Sequence, residues 1–227
     1  MKGAMKDILV IDVGGTHVKL LATGRREAYE IDSGPNMTAR KMVQQVKRVA
    51  KDWNYEVASI GYPGPVLHGR PLREPFNLGG GWMGFNFAKA LGCPVKVIND
   101  AAMQALGSYK GGRMLFLGLG TGLGSAMVID WELEPMELAH LPYKKKTYED
   151  YLGLRGLKRL GRKKWERHVA KVVTILRDAL VATDVVLGGG NAKKLKHLPP
   201  KTRLGENRNA FVGGARLWRP NSPLRPR

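Results

Sequence analysis

The sequence predicts an α/β protein in which short strands alternate with helices. Apolar runs that stop at glycines or prolines, such as residues 7–15 and 57–66, are typical of buried strands. The segment between them, residues 38–52, has its apolar residues at helical spacing; these are Met42, Val43, Val46 and Val49. Three strands also run directly into glycine-bearing loops, and α/β proteins collect their binding sites at such strand ends.

The first part of the chain is expected to contain four strands and two helices. The first two strands meet at a glycine turn, Thr38 is a suitable N-cap for the first helix, and Gly92 ends the second. Residues 67–84 are rich in turn formers and are expected to be a loop. The expected strands are 7–15, 16–24, 26–34 and 57–66, and the expected helices are 38–52 and 85–92.

The second part continues the alternation. A strand at 94–101 should run into a helix from about Ala101 to Tyr109. The later strands are expected at 114–120, 124–130 and 184–190, the last of these ending the strand set, and the later helices at 162–183 and 206–218. No internal repeat of solenoid period is visible. Residues 219–227 are expected to form a disordered tail.

Composition excludes several classes of protein. The chain has 227 residues, of which 43% are apolar, enough for one compact unit or two small lobes. It has no apolar run near the ~20 residues of a membrane helix and no signal-peptide pattern at its start. A single cysteine, Cys93, rules out an internal disulfide and a multi-cysteine zinc site, and is expected in the core. We therefore expect a soluble, cytoplasmic protein.

The positive charge is unevenly distributed. The net charge is +19, of which residues 141–227 carry +16 and residues 1–140 only +3. Such asymmetry indicates a polyanionic partner for the second part of the chain. A solvated basic surface that aids solubility is the alternative.

Three glycine-bearing loops follow apolar strands: "DVGGTHVK" at 12–19, "GLGTGLG" at 118–124 and "LGGGN" at 187–191. Glycines allow backbone N–H groups to approach phosphate oxygens, and a threonine hydroxyl adds a donor. One such loop is weak evidence, whereas three at strand ends favour phosphate binding. None of them matches the Walker or the dinucleotide-binding pattern.

Together with "NDA" at 99–101 and "ELAH" at 137–140, these loops resemble the ROK family of the sugar kinase/actin/Hsp70 superfamily. The stretches "GYPGPV", "FNLGGGW" and "HLPYKKKTYEDYLG" are similar to its polyphosphate glucokinase branch. The resemblance implies a two-lobed, ribonuclease H-like fold with a cleft between the lobes. The first lobe would cover 1–98, with 206–218 as a candidate segment to complete it, and the second 99–205. It also implies a homodimer.

The resemblance assigns the phosphate loops to the phosphoryl donor and to Mg²⁺. Asp12 would hold a hydrated Mg²⁺, for which carboxylate oxygen is a suitable ligand. The donor-binding residues would be Gly14, Gly15, Thr16, Lys19, Gly120, Thr121, Gly122, Gly188, Gly189 and Gly190. Lys19 is alternatively an exposed strand lysine, and the two threonines are alternatively turn-stabilising.

The acceptor side of a sugar kinase needs a carboxylate that accepts the hydroxyl proton. Asp100 is the best candidate because it ends an apolar strand, although it could also be the N-cap of the helix that follows. By resemblance, the sugar would be held by Asn77, Asn99, Asp100, Glu137, His140 and Glu149. His140 alone could equally be structural.

The chain departs from the family pattern in two ways. Ala139 stands where the family has glycine, which would cost energy if the backbone there had a positive φ. The cysteine cluster that binds zinc in many members is absent, so we expect no zinc.

The expected reaction is the Mg²⁺-dependent phosphorylation of glucose, or a similar hexose, by polyphosphate, ATP or both. Eight basic residues lie in or near the expected donor lobe, but the sequence does not show that they line one groove: Lys144, Lys145, Lys146, Lys193, Lys194, Lys196, Lys201 and Arg203. The alternatives are an ATP-only kinase of another hexose or N-acyl hexosamine, and a nucleic-acid-associated protein on a degenerate kinase scaffold. An actin-like ATPase would not need the residues that are expected to bind the sugar.

Overall fold

The computed structural model describes residues 6–219. Its strands are β1 Ile8–Val13, β2 His17–Ala22, β3 Tyr29–Asp32, β4 Val57–Tyr62, β5 Val66–Leu67, β6 Arg70–Pro71, β7 Val95–Asn99, β8 Arg113–Leu119, β9 Leu123–Ile129, β10 Glu132–Met136, β11 Pro142–Tyr143, β12 Lys146–Thr147, β13 Asp184–Gly188 and β14 Thr202–Leu204. Its helices are α1 Ala39–Val49, α2 Phe87–Leu91, α3 Asp100–Ser108, α4 Tyr148–Leu152, α5 Leu154–Leu160, α6 Arg162–Ala179 and α7 Asn209–Arg216.

Two five-stranded sheets form the framework, in the orders β3-β2-β1-β4-β7 and β10-β9-β8-β13-β14. In each sheet three strands consecutive in the chain are antiparallel neighbours, β1 to β3 in the first sheet and β8 to β10 in the second. The fourth strand, β4 or β13, pairs in parallel with the first of these, and the fifth, β7 or β14, pairs in parallel with the fourth. The two sheets therefore share one topology. We call the glycine loops at 12–19, 118–124 and 187–191 phosphate loops 1, 2 and 3. The β1–β2 hairpin with loop 1 in the first sheet corresponds to the β8–β9 hairpin with loop 2 in the second.

The sheets and helices stack in layers. Helices α1 and α2 cover the outer face of the first sheet with one apolar core, and α4–α6 cover the second sheet with another. A third core lies between the sheets and contains side chains of α3 and α7 together with residues of both sheets. Helix α3 thus packs against both sheets, and Asp100 is its first residue.

The α/β architecture predicted from the sequence is confirmed, and local signals place several elements. Thr38 caps α1 by accepting a hydrogen bond from the Lys41 N–H at 3.2 Å. Gly92 ends α2 with a φ of 79°, a conformation that favours glycine. Cys93 is partly buried at the edge of the first core.

Three details of the prediction were wrong. The helix expected at 162–183 ends at Ala179. The strand at 184–190 is not the last, because β14 pairs with it in parallel. The helix expected from Ala101 begins at Asp100, which makes Asn99 its N-cap.

Helix α7 lies in the region predicted to complete the first lobe, and it packs against β1, β4 and α3. The division at residue 98 stays a prediction. Most of the expected tail, residues 220–227, lies outside the described residues. No helix among residues 6–219 is long and apolar enough to cross a membrane.

Candidate active site

Asp12 lies near the end of β1, beside the two strands that pair with β1 on either side. Its neighbours in register are Gly61 of β4 and Lys19 of β2. Burial raises the pKa of Asp12 to about 6, and the charge of Lys19 opposes that rise. Lys19 itself forms an ion pair with Glu30 at 2.9 Å. It is therefore a strand lysine paired on the sheet surface, and it also lies beside phosphate loop 1.

Asp100 is the first residue of α3, directly after β7. Burial raises its pKa to about 7, the charge of Asp12 adds to the rise, and the Ala101 N–H at 2.8 Å opposes it. The charge of Glu137 raises it further. Asp100 therefore lies near one carboxylate from the first sheet, Asp12, and one that directly follows the second sheet, Glu137. A raised carboxyl pKa of this kind is typical of a proton acceptor that works near neutral pH.

Asn99 caps α3, the role considered for Asp100. Its Oδ1 accepts the Ala102 N–H at 3.0 Å, and its Nδ2 donates to the Gly64 carbonyl at 3.1 Å. The Asn99 side chain therefore holds the loop after β4 against the start of α3. This leaves the Asp100 carboxylate free of the capping role.

Phosphate loop 1 turns tightly between β1 and β2, at residues 14–16. The Gly14 N–H donates to the His17 carbonyl at 2.9 Å. A Cβ on Gly15 would lie 3.3 Å from the Cβ of Asn77, so the loop touches the exposed residue expected to hold the sugar. Thr16 is exposed, and its hydroxyl oxygen lies 3.2 Å from the Nδ1 of His17.

Phosphate loops 2 and 3 contact each other at the ends of the parallel strands β8 and β13, where Gly118 pairs with Gly188. The buried Asn191 donates from Nδ2 to the Gly120 carbonyl at 2.8 Å and from its N–H to the Leu119 carbonyl at 2.9 Å. Gly189 has a φ of 79° and lies so close to the Leu119 backbone that a side chain would not fit. The two loops thus form one backbone-lined surface, with Thr121 and Gly190 exposed.

Glu149 of α4 fastens phosphate loop 2. Its Oε2 accepts the Leu123 N–H at 3.3 Å, and its Oε1 accepts from Arg155 at 3.2 Å. A Cβ on Gly122 would overlap the Glu149 carboxylate, so this residue approaches the loop because Gly122 has no side chain. The sequence had indicated only a sugar role for Glu149.

Glu137, His140 and Glu149 are close enough to influence one another. Desolvation raises the pKa of Glu137, the charges of His140 and Arg73 lower it, and that of Glu149 raises it. Ala139, between them, lies buried in a 3-10 turn and is not among the positive-φ residues. The substitution of the family's glycine therefore causes no backbone strain.

The described residues fit a hydrated Mg²⁺ at Asp12. Burial holds the pKa values of Asp12 and Asp100 above the ordinary range, which means that a nearby cation would stabilise both carboxylates. Among residues 6–219 no group of three or more His, Cys, Asp or Glu side chains could hold a metal directly. A single carboxylate with water completing the shell is the mode that Mg²⁺ commonly takes.

The sequence reasoning missed two polar residues of this region. Arg73, in the loop before α2, is near enough to lower the pKa of Glu137 from across the site. Asn191 joins loops 2 and 3 and also accepts from the Lys194 ammonium at 2.9 Å. Arg73 belongs to no motif, and Asn191 ends the glycine loop 187–191 but had been assigned no role. Arg203, by contrast, is held by Asp184 at 2.7 Å and by the Ser108 carbonyl, so its role is structural.

No family model matches the chain. A polyphosphate glucokinase from Mycobacterium tuberculosis is 27% identical over 231 residues, which cover 90% of this chain and 84% of that protein.

Solved structures share the fold. An inorganic polyphosphate/ATP-glucomannokinase from Arthrobacter sp. strain KM has a TM-score of 0.79 at 23% identity, over 92% of this chain and 97% of that one. A ROK family glucokinase from Streptomyces griseus, in complex with glucose and AMPPNP, has a TM-score of 0.75 at 16% identity, over 93% and 98% of the two chains. The predicted two-lobed sugar kinase fold is thereby confirmed.

Proposed function

We propose that this chain, a relative of the polyphosphate glucokinases with the fold of the ROK sugar kinases, is a sugar kinase that makes glucose 6-phosphate. The observation that carries the proposal is the position of Asp100. Its carboxyl group, with a pKa of about 7, lies near Asp12 of β1 and near Glu137, which directly follows β10. The phosphate loops and the amino acids proposed to bind the sugar thus surround a proton acceptor.

The sugar would lie between loop 1 and the second sheet. Asn77, which touches Gly15, and Asn99 would contact it from one side, and Glu137, His140 and Glu149 from the other. Carboxylate, amide and imidazole groups suit a polyol because each pairs with hydroxyl donors or acceptors. Asp100 would accept the proton of the attacking hydroxyl as the new O–P bond forms and the bond from the transferred phosphorus to the donor's bridging oxygen breaks. The leaving group would be ADP or a polyphosphate shortened by one phosphate.

The donor would be held by backbone N–H groups of the glycine loops. Loop 1 faces the transferred phosphoryl group, and the joined loops 2 and 3 hold the phosphates behind it. Bound Mg²⁺, held through water by Asp12, would neutralise the charge that develops on the phosphoryl oxygens. Lys19, beside Asp12, adds a fixed positive charge at the same place.

Polyphosphate, ATP or both would serve as the donor. Binding of a long polyanion is strongly electrostatic, and the charge of +16 on residues 141–227 supports it. The joined glycine loops support a nucleotide equally well. A homodimer is part of the proposal and is checked by sedimentation analysis.

A matrix of initial rates tests the function. Glucose and other hexoses are paired with ATP, GTP and long-chain polyphosphate, with Mg²⁺, at low and high salt. We expect glucose 6-phosphate from at least one donor, and a polyphosphate reaction that weakens steeply with salt. Absence of any hexose phosphate would contradict the proposal, and a salt-sensitive gel shift with nucleic acid in its place would favour the alternative scaffold function.

The pH profile follows from the raised pKa of Asp100. The base must be ionised to accept a proton, so activity should be low below the pKa and rise through it. We expect kcat/KM for the hexose to rise between about pH 5 and about pH 8, with a midpoint at or below the pKa of about 7 of the metal-free carboxyl, because Mg²⁺ near Asp12 would stabilise the ionised form. Rates measured at constant ionic strength check this, and a flat profile over that range would contradict the assignment.

A further inference from the structure

A set of basic side chains begins beside phosphate loop 2 and continues along α5. The Leu154 N–H donates to the Gly120 and Thr121 carbonyls at 3.1 and 3.2 Å, which fixes the start of α5 against the loop. The next residue, Arg155, is exposed, and its guanidinium donates to Glu149 at 3.2 Å. Because Glu149 also holds the loop backbone, Arg155 lies at the rim of the phosphate site.

Arg159 continues this set one turn further along α5. It lies on the same helix face as Arg155, ~6 Å along the axis. Its guanidinium donates to the Asp150 carbonyl at 2.8 Å and lies 5.1 Å from the centre of the Tyr151 ring. These contacts hold the group in place while it stays exposed.

Three further positively charged side chains lie, like Arg159, close to His168 of α6. His168 bonds to the Tyr143 hydroxyl at 3.0 Å, and its ring lies 4.8 Å from that of Tyr151. Burial lowers the pKa of His168, and four nearby positive charges lower it further; these are Lys144, Arg159, Arg167 and Lys171. They come from a β-turn and two helices, so tertiary structure brings them together.

This concentration of positive charge is not balanced by carboxylates. Within residues 6–219, no ion pair involves Lys144, Arg159, Arg167 or Lys171. Arg167 and Lys171 are one helical turn apart and exposed, on the side of α6 opposite its buried Trp165 and Val169. Like charges so placed repel one another unless an anion lies among them.

We propose that Arg155, Arg159, Lys144, Arg167 and Lys171 form a basic track that binds the part of a polyphosphate chain extending beyond the phosphate loops. The inference rests on the proposed function and locates its donor. The track begins where the loops end and offers arginine forks and lysine ammonium groups, the side chains that bind phosphate oxygens.

Nucleic acid fits this surface less well. Proteins that bind single strands stack the bases on exposed aromatic rings. The rings along the track belong to Tyr143, Tyr148 and Tyr151, and all three are buried. The surface therefore offers charge without stacking platforms, which matches a polyanion that has no bases.

The test compares two double variants, each of which removes one arginine charge and one lysine charge. Arg167→Gln with Lys171→Gln neutralises the far end of the track, and Arg40→Gln with Lys41→Gln neutralises two exposed residues of α1. Binding of end-labelled long-chain polyphosphate, tripolyphosphate and single-stranded oligouridine is measured without sugar across a salt series. Thermal unfolding of each variant verifies folding.

We expect the track variant to bind long-chain polyphosphate about tenfold more weakly and tripolyphosphate almost as wild type does. Its log–log salt slope should fall by about 1.4, since each lost contact to a single-stranded polyanion removes about 0.7. Equal losses in the α1 variant, equal losses for tripolyphosphate, or tighter binding of oligouridine than of polyphosphate would overturn the track. Binding through the track without hexose phosphate formation would contradict the proposed function alone.

Discussion

Replacing Asp100 by Asn should lower kcat by about 10²- to 10⁴-fold while leaving hexose binding within about threefold of wild type. The amide has the shape of the carboxylate, and its oxygen can still accept the Ala101 N–H that now lies at 2.8 Å. It cannot take the proton of the attacking hydroxyl. Steady-state kcat and hexose affinity measured without donor give the two quantities separately.

The matched control for this variant is Asp52→Asn. Asp52 is an exposed carboxylate after the end of α1, and within residues 6–219 its one ion pair is with Lys51 at 3.7 Å. It should leave both quantities unchanged. Turnover of Asp100→Asn within tenfold of wild type would show that Asp100 is not the base. Loss of hexose binding at unchanged kcat would assign it to positioning the sugar.

Replacing Gly213 by Ala should reduce the free energy of unfolding by about 3 kcal/mol. Helices α3 and α7 cross at Gly107 and Gly213, with backbone against backbone. A Cβ on Gly213 would overlap the Met103 carbonyl oxygen, and one on Gly107 would overlap that of Asn209. Backbone atoms cannot move aside as a flexible side chain can, so the helices must separate. Urea unfolding measures the loss.

Gly80→Ala is the control for Gly213→Ala. Gly80 has no heavy atom within 4 Å of its would-be Cβ and no positive φ. It should change stability by less than about 0.5 kcal/mol. Alanine favours a helix over glycine by up to about 1 kcal/mol, so the loss at Gly213 is measured against that gain. Equal stability of the two variants would contradict the tight helix crossing.

Elements that carry their own start or stop signals were predictable from the sequence. Thr38 starts α1 through a hydrogen bond to the nearby Lys41 N–H, and Gly92 ends α2 by adopting a positive φ. These helix ends can therefore be predicted from short stretches of sequence. Strand β14 has no such signal, because its three partly exposed residues form a strand only by pairing with β13. Strand β10 is an edge strand that contains Pro135, which sequence patterns count against a strand.

The residues proposed for the site come from sequence motifs, whereas the contacts among them could not be predicted from the sequence. Glycine loops and strand-end carboxylates are visible in the sequence, but the approach of Asp12 to Asp100 depends on strand order, which alternation alone does not specify. Asn99 and Asp100 are both good capping residues, and which of them caps α3 depends on whether the helix begins at Asp100 or one residue later. Glu149 meets Leu123 across 26 residues of sequence, a distance over which no local pattern acts.

The position of α7 has a consequence for how the chain folds during synthesis. The inner face of the first sheet is closed by Gly214 against Val10, by the Ser59 hydroxyl bonded to the Gly214 carbonyl at 2.7 Å, and by Trp218 bonded to Ser59 at 2.9 Å. These partners are more than 150 residues apart. A ribosome therefore releases the first sheet long before the helix that covers it, and this apolar face needs protection from aggregation until translation reaches residue 218.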